Sequence, residues 1–216
     1  MPRSSAGRAP NRKLAREKYS RIAASYDRLG RIRLAEAVRL EAVDRLDLRP
    51  GDVVIDVACG TGLSFPLIEG RIGPEGRLIG VDLSADMLEK AREKVVQAGW
   101  QNVTLIEGAA DEAAIPIQAD AVFFHFTHDV MRTPAALENI FRHAKPGARV
   151  VSAGAKRAPW WNLPANLVMW RISRRYITTF EGFGRPWSHL KRYVPNLGVR
   201  PTLLGAGYIA WGRTQE

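Results

Sequence analysis

One cysteine, Cys59, stands in 216 residues. No intrachain disulfide can form, and a reducing, cytoplasmic setting is the expected one. No apolar run approaches the ~18 residues that cross a bilayer as a helix. The opening MPRSSAGRAPNRK is charged with no apolar stretch behind it, so a secretory leader is not expected. Residues 1–10 are expected to form a disordered tail. Internal repeats are missing. So is a P-loop, because no Lys-Ser/Thr pair follows the glycine-rich stretch. Acids are nearly absent from the last third.

The formal charge of +10 is therefore uneven. Residues 1–50 hold 13 Lys+Arg against 6 Asp+Glu, and residues 149–216 hold 11 against 2. Between them, residues 51–148 hold 8 against 14. Two basic ends flank an acidic middle. Such ends attract an anion, whether nucleic acid, lipid headgroup or acidic metabolite, or they merely keep the chain soluble.

Hydrophobic periodicity alternates between strand and helix. Tyr19, Ile22, Ala23, Tyr26 and Leu29 share a face of a helix over residues 12–29, and a second helix covers 31–46. Strands are expected at 52–57, 77–82, 102–107, 120–126 and 148–153. Helices are expected at 63–69, 85–98 with Ser84 as cap, and 133–144 with Pro134 in the first turn. Lys145-Pro146-Gly147 reads as a turn, and residues 162–177 as a helix capped by Asn162. A short helix at 187–193 precedes an antiparallel hairpin of 199–204 and 208–212. The fold class is α/β: a doubly wound, mostly parallel seven-stranded sheet with N-terminal helices and an antiparallel C-terminal hairpin. Residues 11–216 form one domain, with 11–48 as a helical lid and 155–195 as an insertion on the acceptor side.

The stretch VVIDVACGTG, residues 53–62, is a buried strand ending in a tight glycine loop, with Asp56 inside an apolar run. A dinucleotide site wants G-x-G-x-x-G, but Phe65 takes the third glycine's place. Together with Gly80-Val81-Asp82-Leu83-Ser84-Ala85-Asp86-Met87-Leu88 and Ala144-Lys145-Pro146-Gly147, the stretch resembles class I S-adenosylmethionine-dependent methyltransferases over about residues 50–155. The resemblance implies a Rossmann-like fold and S-adenosyl-L-methionine as cofactor. It implies Asp56 on the amino group, Gly60, Thr61 and Gly62 with Ala58 along the ribose and methionine, and Asp82 on the ribose diol. Leu83 and Met87 would pack on adenine. The family often has Gly-Asp-Ala after strand 3, where this chain has Gly108-Ala109-Ala110-Asp111. Either Asp111 meets the adenine through a shifted loop, or the backbone of Ala109 and Ala110 does.

Methyl transfer from a sulfonium is an in-line displacement, to which alignment supplies roughly 7–11 kcal/mol. The segment Phe124-His125-Phe126-Thr127-His128-Asp129 ends strand 4, where ligands gather in such sheets. Thr127 is expected at the cofactor and His128 as a catalytic group. His125 reads as a core residue, and no metal is expected there. Tyr19 and Tyr26-Asp27 resemble the Tyr-x(6)-Tyr-Asp element of ubiquinone/menaquinone-biosynthesis-type and bacterial phospholipid N-methyltransferases. That likeness implies a helix closing over the cofactor, with Tyr19 at the sulfonium and Tyr26 beside it. Ordinary helix packing would also account for both tyrosines.

Trp160, Trp161, Leu163, Leu167 and Trp170 beside Arg171, Arg174 and Arg175 suit a membrane interface, or else line a core or a small pocket. The expected acceptor is therefore a lipid or small molecule, first of all a phosphatidylethanolamine-like phospholipid amine taken at an anionic membrane surface. The alternative is O-, N- or C-methylation of a small metabolite or quinone precursor. An RNA methyltransferase would explain the charge, but no Asn/Asp-Pro-Pro-Tyr follows strand 4 and the one cysteine lies in the glycine loop, so nucleic acid is not the expected partner. A non-catalytic binding module is disfavoured by the intact loop and both acids. Localisation is expected to be cytoplasmic, with peripheral attachment to the inner membrane.

Overall fold

Every residue of the first strand, Val53–Val57 (β1), is buried, as a central parallel strand requires with helices on both faces. The computed structural model describes residues 10–30 and 33–216, and their side chains except 21–26, 28–30, 33 and 34. The tail expected over residues 1–10, apart from Pro10, and the side chain of Tyr26 thus lie outside the described residues. Helices α1 (Arg12–Gly30) and α2 (Arg33–Asp44) lead into β1, followed by α3 (Phe65–Ile72), β2 (Arg77–Asp82), α4 (Ala85–Ala98) and β3 (Val103–Glu107). Then come β4 (Ala119–His125), α5 (His128–Met131), α6 (Pro134–Arg142), β5 (Ala144–Ala155), α7 (Leu163–Ser173), a 3-10 turn at Pro186–Arg192, β6 (Gly198–Thr202) and β7 (Gly207–Arg213).

The strands lie in the order β3-β2-β1-β4-β5-β7-β6. β7 runs antiparallel to β5 and β6, and the remaining pairs are parallel. The order reverses direction between β1 and β4, so the carboxyl ends of these two strands frame a crevice. On one face of the sheet, Val38, Ala42 and Val43 of α2 and Leu46 just after it pack with Phe65, Ile68 and Ile72 of α3 against Val54 and Phe123. On the other, Leu137 and Ile140 of α6 pack with Leu190 and Val194 against Ile55, Val122 and Val150. Burying each such side chain is worth roughly 1.5–3 kcal/mol.

Local chemistry sets the boundaries. Ser84 accepts from the Met87 amide and caps α4, and Gly99 at φ 71 ends it in the left-handed region that glycine tolerates. α3 starts at Phe65 rather than Leu63, because the tight turns of the glycine loop continue through Ser64. Lys145-Pro146-Gly147 is not a turn before β5 but a bulge within it. Ala144 pairs with Ala119, pairing resumes at Arg149 with Ala121, and Gly147 has φ 71. α7 stops at Ser173, four residues before the expected end. α5 was not foreseen; it is a single turn that begins at His128.

Candidate active site

The crevice holds a cavity of about 950 Å³, its open mouth included. Its floor is the glycine loop. Ala58 and Gly60 follow β1 with φ 53 and 57, so the chain turns left-handed twice within three residues. Gly62, at φ 71, has no room for a Cβ, which would lie 2.7 Å from the Phe65 ring. Gly80 is likewise closed by the Phe65 ring at 2.9 Å and by the Cys59 sulfur at 3.0 Å. Phe65 therefore fills the space through which a dinucleotide-binding helix would approach its strand.

Asp82, at the tip of β2, locks this loop. One carboxylate oxygen accepts from the Gly60 amide at 2.8 Å and the other from the Ser84 amide at 2.9 Å. Burial pushes Asp82 up to about 6, against the amides of Ser84, Gly60 and Leu83. Asp56 lies behind it on β1. Burial lifts Asp56 to about 8, repulsion from Asp82 adds to this, and the buried Arg39 opposes it. At neutral pH the pair thus carries about one negative charge, placed on the cavity-facing acid.

The tip of β4 forms the opposite wall. Phe126 adopts φ 57, unusual for a bulky residue, and breaks the strand's alternation. His125, Thr127 and His128 consequently all line the cavity. The His125 Nε2, the Thr127 hydroxyl and both ring nitrogens of His128 are buried with no hydrogen-bond partner. His125 stacks on Phe123 at 5.7 Å, and His128 meets Phe183 edge-on at 5.3 Å. Burial first, and Arg39 second, push His125 down to about 3. Burial and then Arg132 push His128 down to about 4, while the nearby backbone of Glu181 and Thr179 works the other way without reaching hydrogen-bond geometry. Both imidazoles are neutral at pH 7.

The acids of the wall are engaged. Asp129 accepts from the Thr178 amide at 2.9 Å and the Thr178 hydroxyl at 2.8 Å. Asp111 pairs with Arg12. α1 closes the mouth, with Asn11, Arg12, Ala15, Arg16 and Tyr19 on the lining. Asp27 ties this helix to the loop below: its carboxylate accepts from the Thr61 hydroxyl at 2.5 Å and pairs with Lys94 at 2.7 Å.

A methyltransferase-domain model matches residues 54–147, which hold the glycine loop, both acids and the β4 tip. A demethylmenaquinone methyltransferase of Symbiobacterium thermophilum is 30% identical over 197 residues, 84% of this chain and 77% of that protein. The chain belongs to the class I S-adenosylmethionine-dependent methyltransferases of the menaquinone-biosynthesis type. A second relative, the demethylmenaquinone methyltransferase of Listeria monocytogenes, is 33% identical over 150 residues, 66% of this chain; the match spans 63% of the Listeria protein, under two thirds of its length. The fold matches the N-methyltransferase NodS of Bradyrhizobium japonicum, solved with S-adenosyl-L-homocysteine, with TM-score 0.70 at 12% identity, covering 94% of this chain and 100% of that one.

In this methyltransferase the cavity suits its cofactor. The wall at the glycine loop offers a carboxylate rather than a cation, which welcomes a sulfonium nucleoside and repels a pyrophosphate. The orphaned polar atoms of Thr127 and the two histidines still need hydrogen bonds, which a ligand would complete. Of the expected site residues, Ala58, Gly60, Asp82, Leu83, Met87, Ala109, Ala110, Thr127, Tyr19 and His128 line the cavity. Asp56, Thr61 and Gly62 do not. Asp56 sits within the strand, the Thr61 hydroxyl faces Asp27, and Gly62 packs on Phe65. The carbonyls of Ala109 and Ala110 accept from the Ala113 amide and the Asn139 side chain. His125, read from sequence as a core residue, is a wall residue. Sequence reasoning gave Asp27 no role, although the Tyr26-Asp27 pair marked its position.

Proposed function

We propose that this methyltransferase acts on a neutral, hydroxyl-bearing ring compound of the quinone-precursor kind, rather than on a phospholipid amine. One observation carries the reading: the acceptor-side wall offers neutral, unpartnered histidines and a threonine hydroxyl, while its acids Asp111 and Asp129 already have partners. An ammonium acceptor favours a free carboxylate; a ring hydroxyl favours a neutral imidazole. The activity named for the Symbiobacterium and Listeria relatives supports the same choice.

S-adenosylmethionine supplies an electrophilic methyl on a cationic sulfur. Asp82 receives the ribose hydroxyls, the backbone at Ala58 and Gly60 lies along the methionine portion, and Leu83 and Met87 hold the adenine. Asp56, largely protonated behind Asp82, backs that acid from within β1 and makes no contact with the cofactor. Tyr19 presents its ring to the sulfonium, with Tyr26 on the same helix. His128 accepts the proton of the acceptor's hydroxyl, which makes the ring electron-rich enough to attack. α1 serves as the lid, and residues 155–195 shape the acceptor entrance. An apolar ring acceptor resides in membranes, so peripheral attachment to the inner membrane remains part of the proposal.

The test is transfer of labelled methyl from S-adenosylmethionine to a panel holding a dihydroxynaphthalene-type quinol, phosphatidylethanolamine and simple amines. Label on the quinol is expected. Label on phosphatidylethanolamine alone would sink the reading. His128→Phe should lower kcat about 10²–10⁴-fold while cofactor affinity stays near normal.

A further inference from the structure

Helix α7 is built inside out. Its one buried residue is Ser173, while Leu163, Leu167, Val168, Trp170 and Ile172 face solvent. A surface helix of a soluble protein shows the reverse. Just before it, Trp160 is 84% exposed and Trp161 66%. The tip of the C-terminal hairpin joins the same surface. Leu204 is 87% exposed although its backbone sits at φ 52, as does that of Leu203, a conformation that disfavours leucine. The tip is pinned to the start of α7: the Asn162 side-chain amide donates to the Leu204 carbonyl at 3.2 Å, and Lys156 Nζ to the Gly205 carbonyl at 2.7 Å. A strained leucine is thus held out into solvent beside two exposed tryptophans.

The charge around this surface is of one sign. Residues 156–176 hold five cations and no acid. Among the described residues, Arg157, Arg171 and Arg175 form no ion pair, and the Arg174 guanidinium lies over the Trp170 ring at 4.9 Å. A second copy of this chain docked here would set cation against cation across the two-fold axis. α7, with 11 residues, is too short to cross a bilayer, and no helix among the described residues is long and apolar enough to do so. A helix that lies in the interface needs neither length nor an acidic partner. It needs an apolar face, tryptophans at the headgroup level and cations beside them.

We propose that the face formed by Trp160, Trp161, Leu163, Leu167, Trp170 and Leu204 docks on an anionic lipid bilayer. The segment that follows α7 packs on the start of α1, which lines the cavity mouth. Lys18 of α1 donates to the carbonyls of Arg174 and Ile177 at 3.0 and 2.7 Å, and the Asn11 amide to the Thr178 hydroxyl at 3.0 Å. Docking would therefore hold the lid's neighbour against the membrane surface. The inference needs only this surface and stands whatever the acceptor proves to be.

The experiment sediments the full chain with vesicles of phosphatidylcholine, with and without phosphatidylglycerol. Binding is expected only to the anionic vesicles and should weaken as salt rises. The triple variant Trp160→Ala/Trp161→Ala/Leu204→Asn should partition about tenfold less or weaker still. Its melting temperature and its calorimetric affinity for S-adenosylmethionine should match the parent, which separates lost docking from lost folding or an altered active site. Three results would overturn the proposal: no binding to either vesicle, undiminished binding by the triple variant, or a solution dimer in light scattering that the same substitutions dissolve.

Discussion

α1 and the α7 segment, residues 156–176, belong to the two basic ends of the chain and behave as opposites. Three cations of α1 find partners in the fold. Arg12 meets Asp111 and Glu112, Arg16 meets Glu107 at 3.0 Å, and Lys18 caps the end of the α7 segment. The acidic middle of the chain and its basic start thus neutralise each other along α1. Among the described residues, the arginines of the α7 segment, Arg171, Arg174 and Arg175, form no ion pair, and they and the helix's apolar side chains stay in solvent. Net charge counted along a sequence does not say whether a cation serves the fold or a partner. Only the neighbours that topology supplies decide it.

The comparison can be broken at several points, from the largest effect downward. The buried acids near the lid respond to pH, whereas residues 156–176 contain nothing that titrates between pH 4 and 8. Asp56 has its folded pKa raised to about 8, so the folded chain holds a proton there that the unfolded chain releases near pH 4. That stability is present at low pH and lost as pH rises through about 8. Asp56→Asn should therefore gain on the parent in urea melts as pH rises across this window, while the α7 variants run parallel to the parent at every pH. A constant offset for Asp56→Asn would reject the assigned environment. Next, Asp27→Ala removes the link from α1 to the glycine loop at Thr61 and the link to α4 at Lys94. A loss of about 2 kcal/mol is expected for this partly exposed pair of contacts, with weaker S-adenosylmethionine binding by calorimetry. Parent-like values in both would show that the helix is not fastened there. The double change Arg12→Ala/Arg16→Ala should cost about 1 kcal/mol at low salt, fading at high salt. Smallest of all, Leu167→Ser on α7 should stay within about 0.5 kcal/mol of the parent. A loss several times larger would mean that its side chain is packed after all.

Much of the fold was legible because its signals are local. β2 and α4 fall where Arg77–Asp82 and the Ser84 cap put them. The bulge in β5 was hidden because Lys-Pro-Gly has the composition of a turn, and only the partner strand reveals that pairing resumes beyond it. The single turn of α5 is too short to carry a period. In the site, the floor could be read from glycine spacing and the two acids. The wall could not. The inward aim of His125 depends on a left-handed Phe126, which no propensity predicts, and the roles of Asp27 and Thr178 depend on contacts between segments 34 and 49 residues apart.

The left-handed residue at the end of β4 has a wider consequence. A strand shows every second side chain to one side; a single reversal of handedness lets neighbours in sequence become neighbours on one surface. Four consecutive positions, 125–128, are thereby gathered on one wall of the cavity. On the proposed reading, exchanging side chains at 125, 127 or 128 would retune what the enzyme accepts. Replacing Phe126 with a β-branched residue, which tolerates that backbone poorly, would scatter the whole set at once.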